Sequence, residues 1–249
     1  MASGSGADAQ PSREPVIAGA DPSNPTALEA LRPLASSEVE LSASSKRPTL
    51  VHREVYTSRG LLTVFWHRAA GATLPAAIVA CGGAMGGVLG PGHGLYQRLG
   101  ERWAGLGVEV VRIGYREPNN LDLCAHDLAC GVEMARDAGA ERVVVMGHSF
   151  GGAVAIRAAV IMPASVVGVV TFATQSAGCE VAGALAGRPL LLFHGGADEL
   201  LPPQASHVVA AIAGHGEVVE LAGDGHLLAN SDDAIVERLD AWLPTVLRL

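Results

Sequence analysis

The stretch Arg142-Val-Val-Val-Met-Gly-His-Ser-Phe-Gly-Gly152 constrains the fold of this chain more than any other. Residues 143–146 form a short apolar, largely β-branched run, the composition of a strand covered on both faces. Gly147-His148-Ser149-Phe150-Gly151 follows as G-x-S-x-G, and residues 152–159 are a compact helix-forming segment. Strand, tight turn and helix in that order present the serine hydroxyl at the carboxyl edge of a sheet, beside a helix N-terminus. The glycines are a steric requirement. A side chain at 147 or 151 would collide with the neighbouring strand or helix, and so sharp a turn strains the serine's own backbone.

Periodicity on either side of this turn gives the architecture. Residues 50–57 and 61–67 are strand-like runs around Ser58-Arg59-Gly60, a hairpin signal. Residues 76–80 read as a buried strand running into Cys81-Gly-Gly-Ala-Met-Gly-Gly87. Leu95, Leu99 and Trp103 lie on one face of a helix, and residues 108–113 form the next strand. Asn119 or Asn120 caps a helix over residues 121–138, with Leu121, Cys124, Leu128 and Ala135 on one face. Beyond the serine turn, strands are expected at 166–172, 189–193 and 217–221. A helix opened by Pro202-Pro203 and closed by Gly214 separates the last two, and a final helix carries Ile235, Leu239 and Trp242. Alternating strands and helices at short connections predict an α/β fold. It is a mostly parallel twisted sheet of about eight strands with helices on both faces.

Residues 1–48 mix Ser, Pro, Ala, Gly and acids without sustained periodicity. They are expected to form a disordered N-terminal tail, with at most a turn or two of helix at 27–34, and residues 49–249 the folded domain. A formal net charge of −8, one lysine (Lys46) and dispersed arginines exclude a nucleic-acid surface. Cys81, Cys124, Cys130 and Cys179 show neither metal-ligand nor disulfide spacing, so the expectation is free thiols, a reducing cytoplasmic compartment and no metal. The uncharged stretch 158–179 contains Pro163, Gly168 and Gln175 and reads as helix end, turn and strand rather than a membrane span.

In such sheets chemistry collects beyond the carboxyl ends of the strands. Ser149, Asp198 and His226 each fall just past a different strand, in the order Ser, Asp, His. A serine hydroxyl needs an adjacent base, and that base needs a group to orient it. His226 is assigned as the base and Asp198 as its orienting acid, with Asp224 the rival acid that shapes the turn. A tetrahedral oxyanion needs two fixed donors, assigned to the N–H of Phe150 and that of Gly83, with Ala84 next. Met85, Tyr115, Gln175 and Leu200 follow strand ends as candidate pocket residues, and Arg116 as a candidate carboxylate binder.

With these residues in view, the chain from about Thr49 onward resembles the α/β-hydrolase superfamily, and within it the small lidless serine hydrolases of the dienelactone hydrolase type. The resemblance rests on Gly-His-Ser-Phe-Gly-Gly152, His194-Gly-Gly-Ala-Asp-Glu-Leu-Leu-Pro202, Gly223-Asp-Gly-His226 and Cys81-Gly-Gly83. Many relatives have a histidine where Cys81 stands, and dienelactone hydrolases proper use a cysteine nucleophile where this chain has Ser149. The family commonly inserts a cap between its sixth and seventh strands. Residues 175–188 leave no room for one, which implies an open site. The resemblance implies a serine esterase acting with water on small to medium acyl groups, without cofactor and with oligomeric state open. A thioesterase or small peptidase would use the same machinery. A non-catalytic ligand-binding protein on the same fold is the reading from another class.

Overall fold

The computed structural model describes residues 25–44, 47–69 and 71–249. In chain order the elements are α1 (Ala27–Leu31), β1 (Ala35–Ser44), β2 (Arg47–Thr57), β3 (Gly60–Arg68), β4 (Ala76–Cys81), α2 (Leu95–Gly105), β5 (Glu109–Gly114), α3 (Leu121–Asp137), β6 (Arg142–His148), α4 (Phe150–Ile161), β7 (Val166–Phe172), a 3₁₀ segment (Glu180–Leu185), β8 (Leu190–Gly195), α5 (Gln204–Ala213), β9 (Glu217–Leu221) and α6 (Asp232–Leu247). The strands form one nine-stranded sheet in the order β1-β2-β3-β5-β4-β6-β7-β8-β9. The pairs β1–β2, β2–β3 and β3–β5 are antiparallel, and every pair from β5–β4 to β8–β9 is parallel.

The central strands are apolar on both sides because both sides are covered. Val143 and Val145 of β6 join one core layer with α3, α4 and Val209 of α5, whereas Val144 and Met146 face the other with α2 and α6. Helix α4 carries no amphipathic stripe and is buried nearly all round, from Phe150 to Ala159. Leu95, Leu99 and Trp103 of α2 pack inward as their spacing requires. Asn120 accepts from Leu123 N–H at 3.3 Å and is the cap of α3.

The expected tail boundary at residue 48 is corrected by α1 and β1; residues 1–24 lie outside the described residues. Helix α1 opens on a capping box, with Thr26 Oγ1 accepting from Glu29 N–H and the Glu29 carboxylate accepting from Thr26 N–H. The Glu133 carboxylate on α3 accepts from the next two N–H groups, Ala27 at 2.9 Å and Leu28 at 2.7 Å, and Leu31 is buried in the core. Strand β1 raises the count from about eight to nine. Val39 and Leu41 on it are each 52% exposed, so it is held by its ladder with β2 and by the Glu38–Arg53 ion pair at 2.5 Å, not by burial. A strand attached only through its main chain and a surface ion pair leaves no hydrophobic period in the sequence.

Candidate active site

Strand β6 ends at His148 and α4 begins at Phe150, so Ser149 alone makes the turn, with φ 56° and ψ −121°. Such a backbone conformation costs on the order of 1–3 kcal/mol and persists only where its surroundings enforce it. They do. A Cβ at Gly147 would lie 1.8 Å from the Gly151 carbonyl oxygen, one at Gly151 2.2 Å from that of Gly82, and one at Gly152 2.1 Å from Thr174 Oγ1. The chain passes itself here at a distance that only hydrogen permits.

The structure brings together the three residues expected past β6, β8 and β9. His226 Nε2 lies 2.9 Å from Ser149 Oγ, and His226 Nδ1 lies 2.8 Å from Asp198 Oδ2. Asp198 Oδ1 accepts from the N–H groups of Leu200 and Leu201, each at 2.9 Å, so its carboxylate both closes its own turn and faces the imidazole. Burial alone would raise the Asp198 carboxyl, but the Leu201 N–H, His226 and Leu200 N–H outweigh it and hold the group below the ordinary aspartate value. Asp224 accepts from Gly225 N–H and Asn230 N–H and shapes the turn that carries His226.

Two further histidines belong to this arrangement and were not singled out in the sequence. His194, wholly buried at the end of β8, has Nε2 3.0 Å from the Leu201 carbonyl oxygen and 3.2 Å from Asp198 Oδ2, while Nδ1 lies 2.7 Å from Ser206 Oγ. Donation from Nε2 to Leu201 makes Nδ1 the acceptor of the Ser206 hydroxyl. His148 Nε2 donates to the His226 carbonyl oxygen at 3.0 Å. Burial lowers the His148 imidazole to about 4, against the opposing pull of that hydrogen bond. Their one visible signal is position: each is a polar residue at the end of an apolar strand, next to or four residues before an expected site residue.

The loop after β4 approaches the serine from the other side. A Cβ at Gly83 would be 3.7 Å from Ser149 Cβ, and Gly83 and Gly86 pair as a tight bridge. Tyr115 Oη donates to the Gly82 carbonyl oxygen at 2.9 Å, and Arg112 reaches the Val88 carbonyl oxygen at 3.1 Å. Tyr115 is therefore a buried prop of this loop and not a pocket lining. Cys81 sits beneath the turn, with Sγ 3.6 Å from the Gly151 carbonyl oxygen, its thiol pushed up to about 12 by burial. Met85 is 94% exposed at the loop tip. Gln175 is turned into its own loop, donating to the Ala177 carbonyl oxygen. Arg116 is committed to Asp127 at 2.5 Å and to His126, with 3% of its side chain exposed, so it offers nothing to a ligand carboxylate. Leu200 is exposed on a cavity of about 470 Å³ beside His226. Among the described residues no group of three His, Cys, Asp or Glu is placed to hold a metal ion, and no helix is long and apolar enough to cross a membrane.

Sequence comparison finds no family model and no curated protein that matches this chain. Structural comparison does find likenesses. Est1E from Butyrivibrio proteoclasticus, also seen with ferulic acid bound, superposes with a TM-score of 0.64 at 15% identity, over 80% of this chain and 99% of its own. An α/β serine hydrolase without a lid from Xanthomonas campestris gives 0.58 at 20% identity, over 89% and 99%. A carboxylesterase structure from the thaumarchaeon Nitrososphaera gargenis gives 0.59 at 12% identity, over 78% and 99%. Between β7 and β8 the chain holds only the short 3₁₀ segment, where a cap would be inserted. Strand order, the Ser149 turn and these likenesses together give this chain the α/β-hydrolase fold, in a form with no cap domain among the described residues.

Proposed function

We propose that the protein is a serine hydrolase that cleaves carboxylic esters of small to medium acyl groups. The observation that carries this reading is the unbroken line from Ser149 Oγ through both nitrogens of His226 to Asp198 Oδ2. Ser149 Oγ attacks the acyl carbon as its proton passes to His226 Nε2. Asp198 holds the proton on Nδ1, which leaves Nε2 free to accept, and stabilises the imidazolium that forms. The N–H of Phe150, at the start of α4, and that of Gly83 receive the oxyanion, with Ala84 the alternative to Gly83. Each such donor is worth about 3 kcal/mol in the transition state. The tetrahedral adduct collapses as Nε2 returns its proton to the leaving alcohol, and water then cleaves the acyl-enzyme by the same steps. The short β7–β8 connection supports accessible acyl groups of modest length, because no inserted element walls off a long acyl tunnel. The carboxylesterase among the structural neighbours supports the ester class.

The test is labelling with a fluorophosphonate together with turnover of nitrophenyl esters of graded acyl length. The wild-type protein is expected to label on Ser149 and to turn over the short esters fastest, and Ser149→Ala to lose both responses while keeping its fold. A folded wild-type protein that shows neither response but binds a small acyl ligand would replace this reading with that of a binding protein.

A further inference from the structure

The order of the strands decides on which side of Ser149 each half of an ester lies. Strand β4, whose loop carries Gly83, neighbours β6 on one side. Strands β8 and β9, whose loops carry Asp198 and His226, lie on the other. A carbonyl oxygen directed at Gly83 and Phe150 therefore leaves the alcohol half pointing toward the loops after β8 and β9. There its oxygen meets the proton on His226 Nε2.

The cavity of about 470 Å³ lies on that side. Glu199, Leu200 and residues 224–230, His226 included, line it, and no residue from the loops after β4, β5 or β7 contributes. Its volume is within the range of small-molecule sites. Its walls are apolar, with Leu200 and Leu227 exposed to 71% and 59%. Neither lysine nor arginine lines it. Of its two carboxylates, Asp224 is turned into its own loop by Gly225 and Asn230, whereas Glu199 is exposed and makes no hydrogen bond or ion pair among the described residues.

We propose that this cavity receives the leaving-group alcohol and that Glu199 at its rim makes the site favour alcohols carrying a positive charge over anionic ones. The inference rests on the hydrolase reading above and names the substrate class of that same site. A carboxylate beside an apolar wall attracts a substrate cation and repels an anion without touching the reacting atoms. The discrimination therefore lies in the ratio between matched esters, not in the chemistry of the serine.

The test compares kcat/KM for three acetates: acetylcholine, its uncharged carbon isostere 3,3-dimethylbutyl acetate, and 2-sulfoethyl acetate. The proteins are wild type, Glu199→Gln, Glu199→Lys and, as a distant charge control, Asp137→Asn at the far end of α3. The ratio of choline to isostere is expected to fall about threefold in Glu199→Gln, the factor of one solvent-exposed charge pair, and about tenfold in Glu199→Lys. The sulfonate ester is expected to move the opposite way, and Asp137→Asn to leave every ratio where it is. General damage to the site would slow all three esters alike. Ester turnover with ratios unchanged across the Glu199 variants overturns the inference and leaves the hydrolase reading standing. Ratios that shift equally in Asp137→Asn overturn it in favour of overall net charge. No turnover of any ester and no phosphonate label on Ser149 overturns both.

Discussion

His148 donates from Nε2 to the main-chain carbonyl oxygen of His226 at 3.0 Å, with the two rings 5.0 Å apart. The residue before Ser149 thus pins the loop that carries His226, so the Ser149 turn and the His226 loop are tied together by one hydrogen bond. That bond requires a donor at Nε2. Burial, the larger effect, brings the imidazole down to about 4, so the ring stays neutral through the ordinary pH range.

A pH dependence follows from this ring and from His67, buried beneath Gly100 and also lowered to about 4, chiefly by burial and then by Arg112. Both folded-state values lie below the unfolded value of 6.5. Between those limits the unfolded chain binds protons that the folded chain refuses. The stability they confer is present above 6.5 and is lost as pH falls toward 4. Each contributes a slope of up to about 1.4 kcal/mol per pH unit. His67→Leu removes one of the two protons. Urea unfolding from pH 7 down to 4.5 should show the variant gaining on the wild-type protein as the solution is acidified, and parallel curves would contradict this assignment.

Asp198→Asn is expected to lower kcat by about 10⁴-fold, because an amide donor opposite Nδ1 favours the tautomer that cannot accept the serine proton. Asp224→Asn keeps one acceptor oxygen, for Gly225 N–H, and turns the other, which accepts from Asn230 N–H at 3.1 Å, into a donor. Its expected effect is on stability, about 1–2 kcal/mol, with a much smaller loss of kcat. Measuring kcat and thermal unfolding for both variants checks the assignment, and the opposite ranking in kcat would reverse the roles of the two acids.

Gly147→Ala places a methyl group 1.8 Å from the Gly151 carbonyl oxygen, a backbone atom that cannot step aside. Loss of more than 4 kcal/mol, about the limit of ordinary single substitutions, is expected, seen as insoluble or unfolded protein. Gly105→Ala, at the end of α2 with nothing within 4 Å of the new methyl, should instead stabilise by about 0.5–1 kcal/mol through the unfolded chain. Thermal unfolding of the pair separates a steric glycine from a replaceable one.

Glu133→Ala takes away the carboxylate that receives the first N–H groups of α1 from Ala27 and Leu28. Hydrogen bonds to a charged acceptor of this kind contribute about 1.5–3 kcal/mol, more than a five-residue helix holds by itself. A glutamyl endopeptidase should then cut after Glu29, inside α1, at least tenfold faster than in the wild-type protein, while the sheet from β3 to β9 stays resistant. Unchanged cleavage would mean that Leu31 packing alone holds α1 in place.

The elements around the site were legible in the sequence for a physical reason. Strands covered on both faces, such as 143–146 and 166–170, are apolar throughout, and a turn as tight as that at Ser149 excludes any side chain at 147 or 151. Asp198 was legible because it follows such a strand closely and His226 because it stands just past the last strand, and the fold places strand ends together. What escaped are residues whose partner lies far along the chain and whose type carries no period. Strand β1 is exposed on both faces over residues 35–41, α1 is capped by a carboxylate 105 positions away, and Tyr115 supports Gly82 instead of facing a ligand.

By itself the sequence determined the order of strands and helices from β2 onward, the steric shape of the serine turn and the residue types able to move a proton, because these depend on neighbours a few positions apart. Only the tertiary structure decided that Ser149, His226 and Asp198 meet within hydrogen-bonding distance, that His148 and His194 hold the loops on which the latter two stand, and that Arg116 is consumed by Asp127. A hydrogen bond between residues 77 positions apart is set by strand register and sheet order, and those exist only once the chain has folded.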